Sequence, residues 1–307
     1  MELNLNDKQI IVYGAPGTGK SFSINKALET NNIDKTNNVF RVVFYHDYSY
    51  SDFIGYISPK GNDDTVDYDF SAGPFTLALK RAFETDDKVC LLIEEVNRGN
   101  CAAIFGDIFQ LLDRDKYGYS QYSIANSIIR NFLNKSNAIK EKLAQLDIAE
   151  DDIVLPPNFI IVGTMNTADQ NVFTMDSAFK RRFKMKYLPI AFDEETDELK
   201  RLDELSQINI FAGKSCWSEF AKKINGIIDN INSEMLTVSE DKKLGPYFVD
   251  EVDVSSRQTF CDKVIYYLKN DVFKYSPQYL SDSYERLYQS FVIDETDIYK
   301  LLTRGEQ

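Results

Sequence analysis

Gly14-Ala15-Pro16-Gly17-Thr18-Gly19-Lys20-Ser21 follows the apolar run Ile10-Ile11-Val12-Tyr13 and opens onto the helix-compatible stretch Phe22 to Leu28. This is the pattern G-x-x-x-x-G-K-[ST] in the strand–loop–helix setting that gives it meaning. Glycines let successive backbone N–H groups close around phosphate oxygens, and the helix start behind them adds positive partial charge. Lys20 is placed to reach the β- and γ-phosphates, and the Ser21 hydroxyl to hold Mg²⁺. The stretch therefore predicts a loop, Gly14, Ala15, Pro16, Gly17, Thr18, Gly19, Lys20 and Ser21, that wraps the tail of a nucleoside triphosphate.

Outward from the loop, the chain alternates apolar runs with helical patterns. A strand over about residues 9–13 leads in, a helix runs to about Glu29, and Val39 to Tyr45 reads as a buried strand. The aromatic and polar segment from His46 to Phe53 reads either as a loop packed by its own tyrosines or as one with a direct role, with His46 a structural hydrogen-bonder. Gly61 to Asp69 is acidic and reads as exposed, and Phe75 to Phe83 has helical spacing.

Val89-Cys90-Leu91-Leu92-Ile93-Glu94-Glu95 is a buried strand ending in two carboxylates. Open α/β sheets place their ligands at such carboxyl ends, so Glu94 is the candidate for Mg²⁺, mostly through water, and Glu95 for polarising the attacking water. Arg98 follows closely, before an apolar stripe from Ile104 to Leu112 at helical spacing. Residues 114 to 153 read as an insertion carrying one or two surface helices, a candidate partner-facing element. Phe159 to Thr164 is a further strand, and Asn166 at its end is placed to contact the γ-phosphate or orient the lytic water. Arg181 and Arg182, in Lys180-Arg181-Arg182, fit either a solvated face or an arginine finger entering a neighbouring subunit's site. Met185 to Ile190 supplies a fifth strand.

Beyond Pro189 the texture becomes helical: Trp217, Phe220, Ala221, Ile224, Ile227, Ile228, Ile231 and Met235 share one face, and Arg257 to Tyr275 is amphipathic. The expected organisation is an α/β nucleotide domain over residues 1–192, with the insertion at about 114–153, and a helical domain over 193–307.

Composition removes several alternatives. Acidic residues outnumber basic ones 48 to 35, so the chain alone is a poor reader of duplex DNA. One histidine and four scattered cysteines offer no metal-ligand spacing and read as reduced thiols. With no secretory leader and no long apolar span, the expected setting is the cytoplasm, away from the membrane.

Taken together, these motifs resemble the AAA+ motor subunits of McrBC-type restriction systems. The resemblance rests on Gly14 to Ser21, Ile93 to Asn100, Gly163-Thr164-Met165-Asn166-Thr167-Ala168-Asp169, Asp176 to Phe183 and Gly245-Pro246-Tyr247-Phe248. It implies an AAA+ P-loop NTPase: a five-stranded parallel sheet sandwiched by helices, an all-helical C-terminal lid, and a ring, commonly a hexamer. It further implies Mg²⁺-dependent hydrolysis of GTP or ATP, stimulated by a separate nuclease subunit of the McrC type, with DNA engaged through the assembled complex. Family roles fall on Lys20, Ser21 and Glu95, with Asn166 and Asp169 matching the signature and Arg181 or Arg182 lying where intersubunit arginines occur. This chain departs from the family in having Gln170 where Arg is usual and Glu94 where Asp is usual. Its phosphate loop also begins at Gly14, so the expectation is either that an N-terminal DNA-reading domain was lost or removed or that another polypeptide supplies specificity. The other readings are a MoxR-type protein-remodelling ATPase and a nucleotide-dependent scaffold with little turnover.

Overall fold

A computed structural model describes residues 3–62, 65–166, 173–192, 196–235, 242–276 and 278–302. The chain forms two compact units. One comprises Met1–Tyr13, Ser21–Met165 and Asp169–Tyr187, and the other comprises Gly14–Lys20, Asn166–Ala168 and Leu188–Gln307. The change of unit thus falls at Tyr187/Leu188, a few residues before 192, and the phosphate-loop segment groups with the helical unit.

The first unit is built in chain order from β1 (Gln9–Gly14), α1 (Lys20–Thr30), β2 (Val39–Val43), α2 (Tyr50–Ile54), β3 (Gly55–Asn62), β4 (Thr65–Ala72), α3 (Pro74–Glu84) and β5 (Val89–Glu94). It continues through α4 (Cys101–Phe105), β6 (Ile124–Ala125), α5 (Ser127–Leu133), α6 (Asn137–Ala144), β7 (Asp152–Ile153), β8 (Phe159–Asn166), α7 (Ser177–Arg181) and β9 (Lys184–Tyr187). Its main sheet has five strands in the order β2-β5-β8-β1-β9, with β2–β5, β5–β8 and β1–β9 pairing parallel. The central strands are apolar on both faces: Ile10, Ile11, Val12, Leu91, Ile161 and Val162 are all buried, as a sheet covered by helices on both sides demands. Phe44, just past β2, meets Phe53 of α2 and Phe105 of α4 at ring separations of 5.6 and 6.5 Å, and those two rings lie 5.0 Å apart. Each such ring contributes about 2–3 kcal/mol by leaving water.

Four segments differ from the sequence expectation. Ser49 forms a capping box with Asp52 and opens α2, so the tyrosine-rich stretch ends in a helical turn instead of remaining loop. Of the stretch Gly61 to Asp69, Gly61 and Asn62 belong to β3 and Thr65 to Asp69 to β4, which pair as a two-stranded antiparallel hairpin whose polar sequence concealed the strands. The stripe from Ile104 to Leu112 changes from α- to 3₁₀-helix at Gly106, which sits at φ 49°. The insertion is not a surface appendage: Ile129, Leu133, Ile139 and Leu143 are buried and join the main core. Arg114 closes its two ends. Its Nη1 donates to the carbonyls of Gly118 (3.0 Å), Leu155 (3.3 Å) and Pro156 (3.2 Å), and its Nη2 to Phe159 (3.1 Å). Burial pulls its pKa down to about 10, which leaves it cationic at neutral pH.

The second unit carries α8 (Asp197–Asn209), α9 (Trp217–Met235), α10 (Arg257–Phe260), α11 (Tyr284–Tyr288) and α12 (Ile298–Leu302). Helix α10 continues into π-helical turns at Cys261–Ile265 and Leu268–Val272. Trp217, Phe220, Ile224 and Ile228 recur every three or four residues along α9 and are fully buried. The first turn of α9 is capped from α8: Ser206 Oγ accepts from Trp217 N (2.8 Å) and Asp203 Oδ1 from Ser218 N (2.8 Å).

Candidate functional site

β1 ends at Gly14 and the predicted phosphate loop follows at once, with α1 beginning at Lys20. Gly17 and Gly19 sit at φ 72° and 86°, which turns the loop back on itself. Thr18 Oγ1 donates to Ala15 O (3.0 Å), and Lys20 Nζ donates to the carbonyls of Gly14 and Ala15 (3.0 Å each). The ammonium is thereby centred over the loop. Ser21, at the next position, is exposed.

The carbonyls of Pro16 and Gly17 are used from the other side, within the same unit. Gly245 N donates to Pro16 O (3.1 Å) and Tyr247 N to Gly17 O (2.8 Å). A side-chain carbon on Gly17 would sit 2.3 Å from Phe248 N, and one on Gly245 would sit 2.4 Å from the Gly17 carbonyl, so neither position accepts a larger residue. The Tyr247 ring lies beside Gly19, 3.3 Å from where a side-chain carbon would begin.

The acidic tip is assembled within the first unit. β5 and β8 are in register at Ile93↔Gly163, so Glu94, Glu95 and Thr164 emerge side by side. Glu94 Oε1 accepts from Arg41 Nη1 on β2 at 3.0 Å. Glu95 adopts a left-handed backbone (φ 54°, ψ 46°), uncommon for a side chain of this size. Its N–H donates to Thr164 Oγ1 (3.2 Å), and its Oε2 stands 3.6 Å from Arg98 Nε. Cys101 nearby donates its thiol to Val96 O (3.0 Å), and burial pushes its pKa up to about 12. That thiol stays neutral, so thiolate chemistry at the tip is not supported.

Asn166 is the last residue of β8 and is half-buried. Asp169 and Gln170 lie outside the described residues. Arg181 and Arg182 end α7, which Asp176 caps by accepting from Phe179 N (2.6 Å). Here the two arginines part. Arg182 is committed to its own chain: Nη2 meets Asp113 Oδ2 at 2.5 Å, and the guanidinium lies 4.2 Å from the Phe109 ring centre. Arg181 is exposed. His46 is also exposed, beside Asp47 (3.0 Å) and the Phe173 ring.

The donors suit Mg²⁺ held jointly with a nucleotide. Ser21 and Glu94 offer hard oxygens, and no group of three or more His, Cys, Asp or Glu among the described residues forms an all-protein metal cage. Sequence reading missed Arg41, Thr164 and the Gly245–Tyr247 contact. Arg41 did leave a signal, as the one charged residue in the run Val39 to Tyr45. No helix among the described residues is long and apolar enough to cross a membrane.

The sequence profile of the AAA domain (dynein-related subfamily) matches residues 9–183. The chain is 35% identical over 295 residues to the type II restriction enzyme BsuMI component YdiS of Bacillus subtilis (strain 168), covering 87% of this chain and 80% of that one. It is 28% identical over 240 residues to the type IV methyl-directed restriction enzyme EcoKMcrB subunit of Escherichia coli (strain K12), covering 78% of this chain and 46% of that subunit. The profile's span opens on the first residue of β1 and takes in the loop, the acidic tip, β8 and α7.

Proposed function

The chain belongs to the AAA domain family (dynein-related subfamily), and from that premise we propose that it is the nucleotide-hydrolysing motor subunit of an McrBC-type restriction system. One observation supports this most: the strand order sets β1 beside β8 and β8 beside β5, so the loop, Asn166 and the two carboxylates leave the sheet on adjacent strands. On this reading the loop N–H groups and Lys20 bind the triphosphate tail of GTP or ATP. Ser21 and, through water, Glu94 would hold Mg²⁺, which would supply positive charge to offset that of the triphosphate tail. Glu95 accepts a proton from the attacking water while Asn166 orients it, and Asp169 completes the family signature that Asn166 opens.

Arg181 serves a neighbouring copy in a ring, since it is exposed while Arg182 is engaged.

 The guanidinium would stabilise charge on the phosphoryl group transferred at the adjacent site. A nuclease subunit of the McrC type is the partner that this motor drives, and DNA is engaged through the assembled complex.

Phosphate release measured with each of the four triphosphates, at several protein concentrations, tests the reading. Turnover with GTP or ATP, rising more steeply than protein concentration, is the expected result. Absence of turnover with all four, with and without the nuclease subunit, would remove the motor assignment.

A further inference from the structure

We propose that the Gly245–Phe248 segment is the second half of the phosphate loop, and that Tyr247 is a positioning residue for the triphosphate tail. The inference rests on the reading that a triphosphate binds at Gly14–Ser21. In a trans peptide the N–H points opposite to the C=O of the same plane. The carbonyl of Pro16 shares its plane with the N–H of Gly17, and the carbonyl of Gly17 shares its plane with the N–H of Thr18. By taking those two carbonyls, Gly245 N (3.1 Å) and Tyr247 N (2.8 Å) turn the Gly17 and Thr18 N–H groups to the opposite side. That is the side from which a phosphate-binding loop must donate.

The bracing segment is itself held firmly. Fully buried Trp217 donates Nε1–H to Pro246 O at 2.8 Å. Asn225 clamps Leu244 on both edges, donating Nδ2 to its carbonyl (2.9 Å) and accepting from its N–H (2.7 Å). The Tyr247 hydroxyl meets Thr196 Oγ1 (2.9 Å), at the cap of α8. Pro246 has no N–H, so only the flanking residues donate toward the loop. The grip on phosphate is thereby set by α8 and α9 through a four-residue bridge, over a contact that excludes a β-carbon at both Gly17 and Gly245.

The test is equilibrium binding of fluorescent ATP and GTP analogues, with inorganic tripolyphosphate as competitor, to the full chain and its variants. Tyr247→Ala removes the ring beside Gly19 and is expected to raise Kd about tenfold, by the same factor for ATP, GTP and tripolyphosphate. Tyr247→Phe, which keeps the ring and the backbone donor, is expected to restore most of that affinity. Gly245→Ala is expected to weaken binding more than Tyr247→Ala does, with the unliganded melting temperature recorded alongside. Unchanged affinity in both Tyr247→Ala and Gly245→Ala overturns the inference. So does a loss confined to one base, which would make Tyr247 a base contact. Failure of the unaltered chain to bind any triphosphate would instead remove the nucleotide reading itself, and Lys20→Ala separates the two cases.

Discussion

The phosphate loop and the acidic tip of β5 are held in different ways. The loop is secured by main chain: carbonyls of Pro16 and Gly17 against N–H groups of Gly245 and Tyr247, with two glycines in close approach. The tip is secured by side chains: Arg41 on Glu94, Arg98 near Glu95, and the Thr164 hydroxyl on the Glu95 N–H. A site braced by backbone tolerates no added volume but is nearly indifferent to the charges around it. A site braced by half-exposed ion pairs is adjustable one residue at a time and is weakened by salt.

That contrast is broken or sharpened most severely at the loop. Gly17→Ala should abolish triphosphate binding as fully as Lys20→Ala, a loss of ~100-fold or more, because a methyl there meets Phe248 N at 2.3 Å and the residue sits at φ 72°. Binding by the Gly17→Ala chain within a few-fold of the original, in a fluorescence titration, would show that the backbone contact is not limiting. At the tip, Glu95→Gln should leave binding intact while phosphate release falls by ~100-fold or more, since only proton acceptance is removed. Turnover at the original rate would place the base elsewhere.

The paired arginines offer a finer comparison. Arg181→Ala should lower turnover in the assembled protein with little change in melting temperature. Arg182→Ala should do the reverse, costing roughly 1–3 kcal/mol of stability through the lost Phe109 and Asp113 contacts. Equal effects of both on turnover, with no change in melting, would contradict that division. The smallest effect belongs to Arg41→Ala. The Arg41–Glu94 pair is half-exposed on the arginine side (49%), so stability should change by less than about 1 kcal/mol. The Mg²⁺ concentration needed for half-maximal nucleotide affinity should nonetheless rise, and high salt should reproduce part of the rise in the unaltered chain.

The same division decides how much could be read in advance. The phosphate loop, the carboxylates after Ile93 and the polar end of β8 are local signals, each a run of residues whose order carries the chemistry. Their supports are not local. Gly245 lies far along the chain from the loop it braces, and Arg41 meets Glu94 across 53 residues. No periodicity records such pairings. The β3–β4 hairpin escaped for another reason: Pro59 and Gly61 in β3, and Asp67 and Asp69 in β4, are residue types that read as loop. The insertion's burial was hidden because Ile129, Leu133, Ile139 and Leu143 look alike whether they face a partner or their own core.

Arg114 ties that insertion to the strand that follows it. A single guanidinium fastens the chain where the excursion departs, at Gly118, and where it returns, at Leu155, Pro156 and Phe159. With both ends stapled to one cation, β8 begins from a fixed anchor, while Ile129, Leu133, Ile139 and Leu143 seat the excursion in the core that backs the same strand. Arg114→Ala would therefore loosen the start of β8 and the packing of α5 and α6 together, because the two share one fastening point.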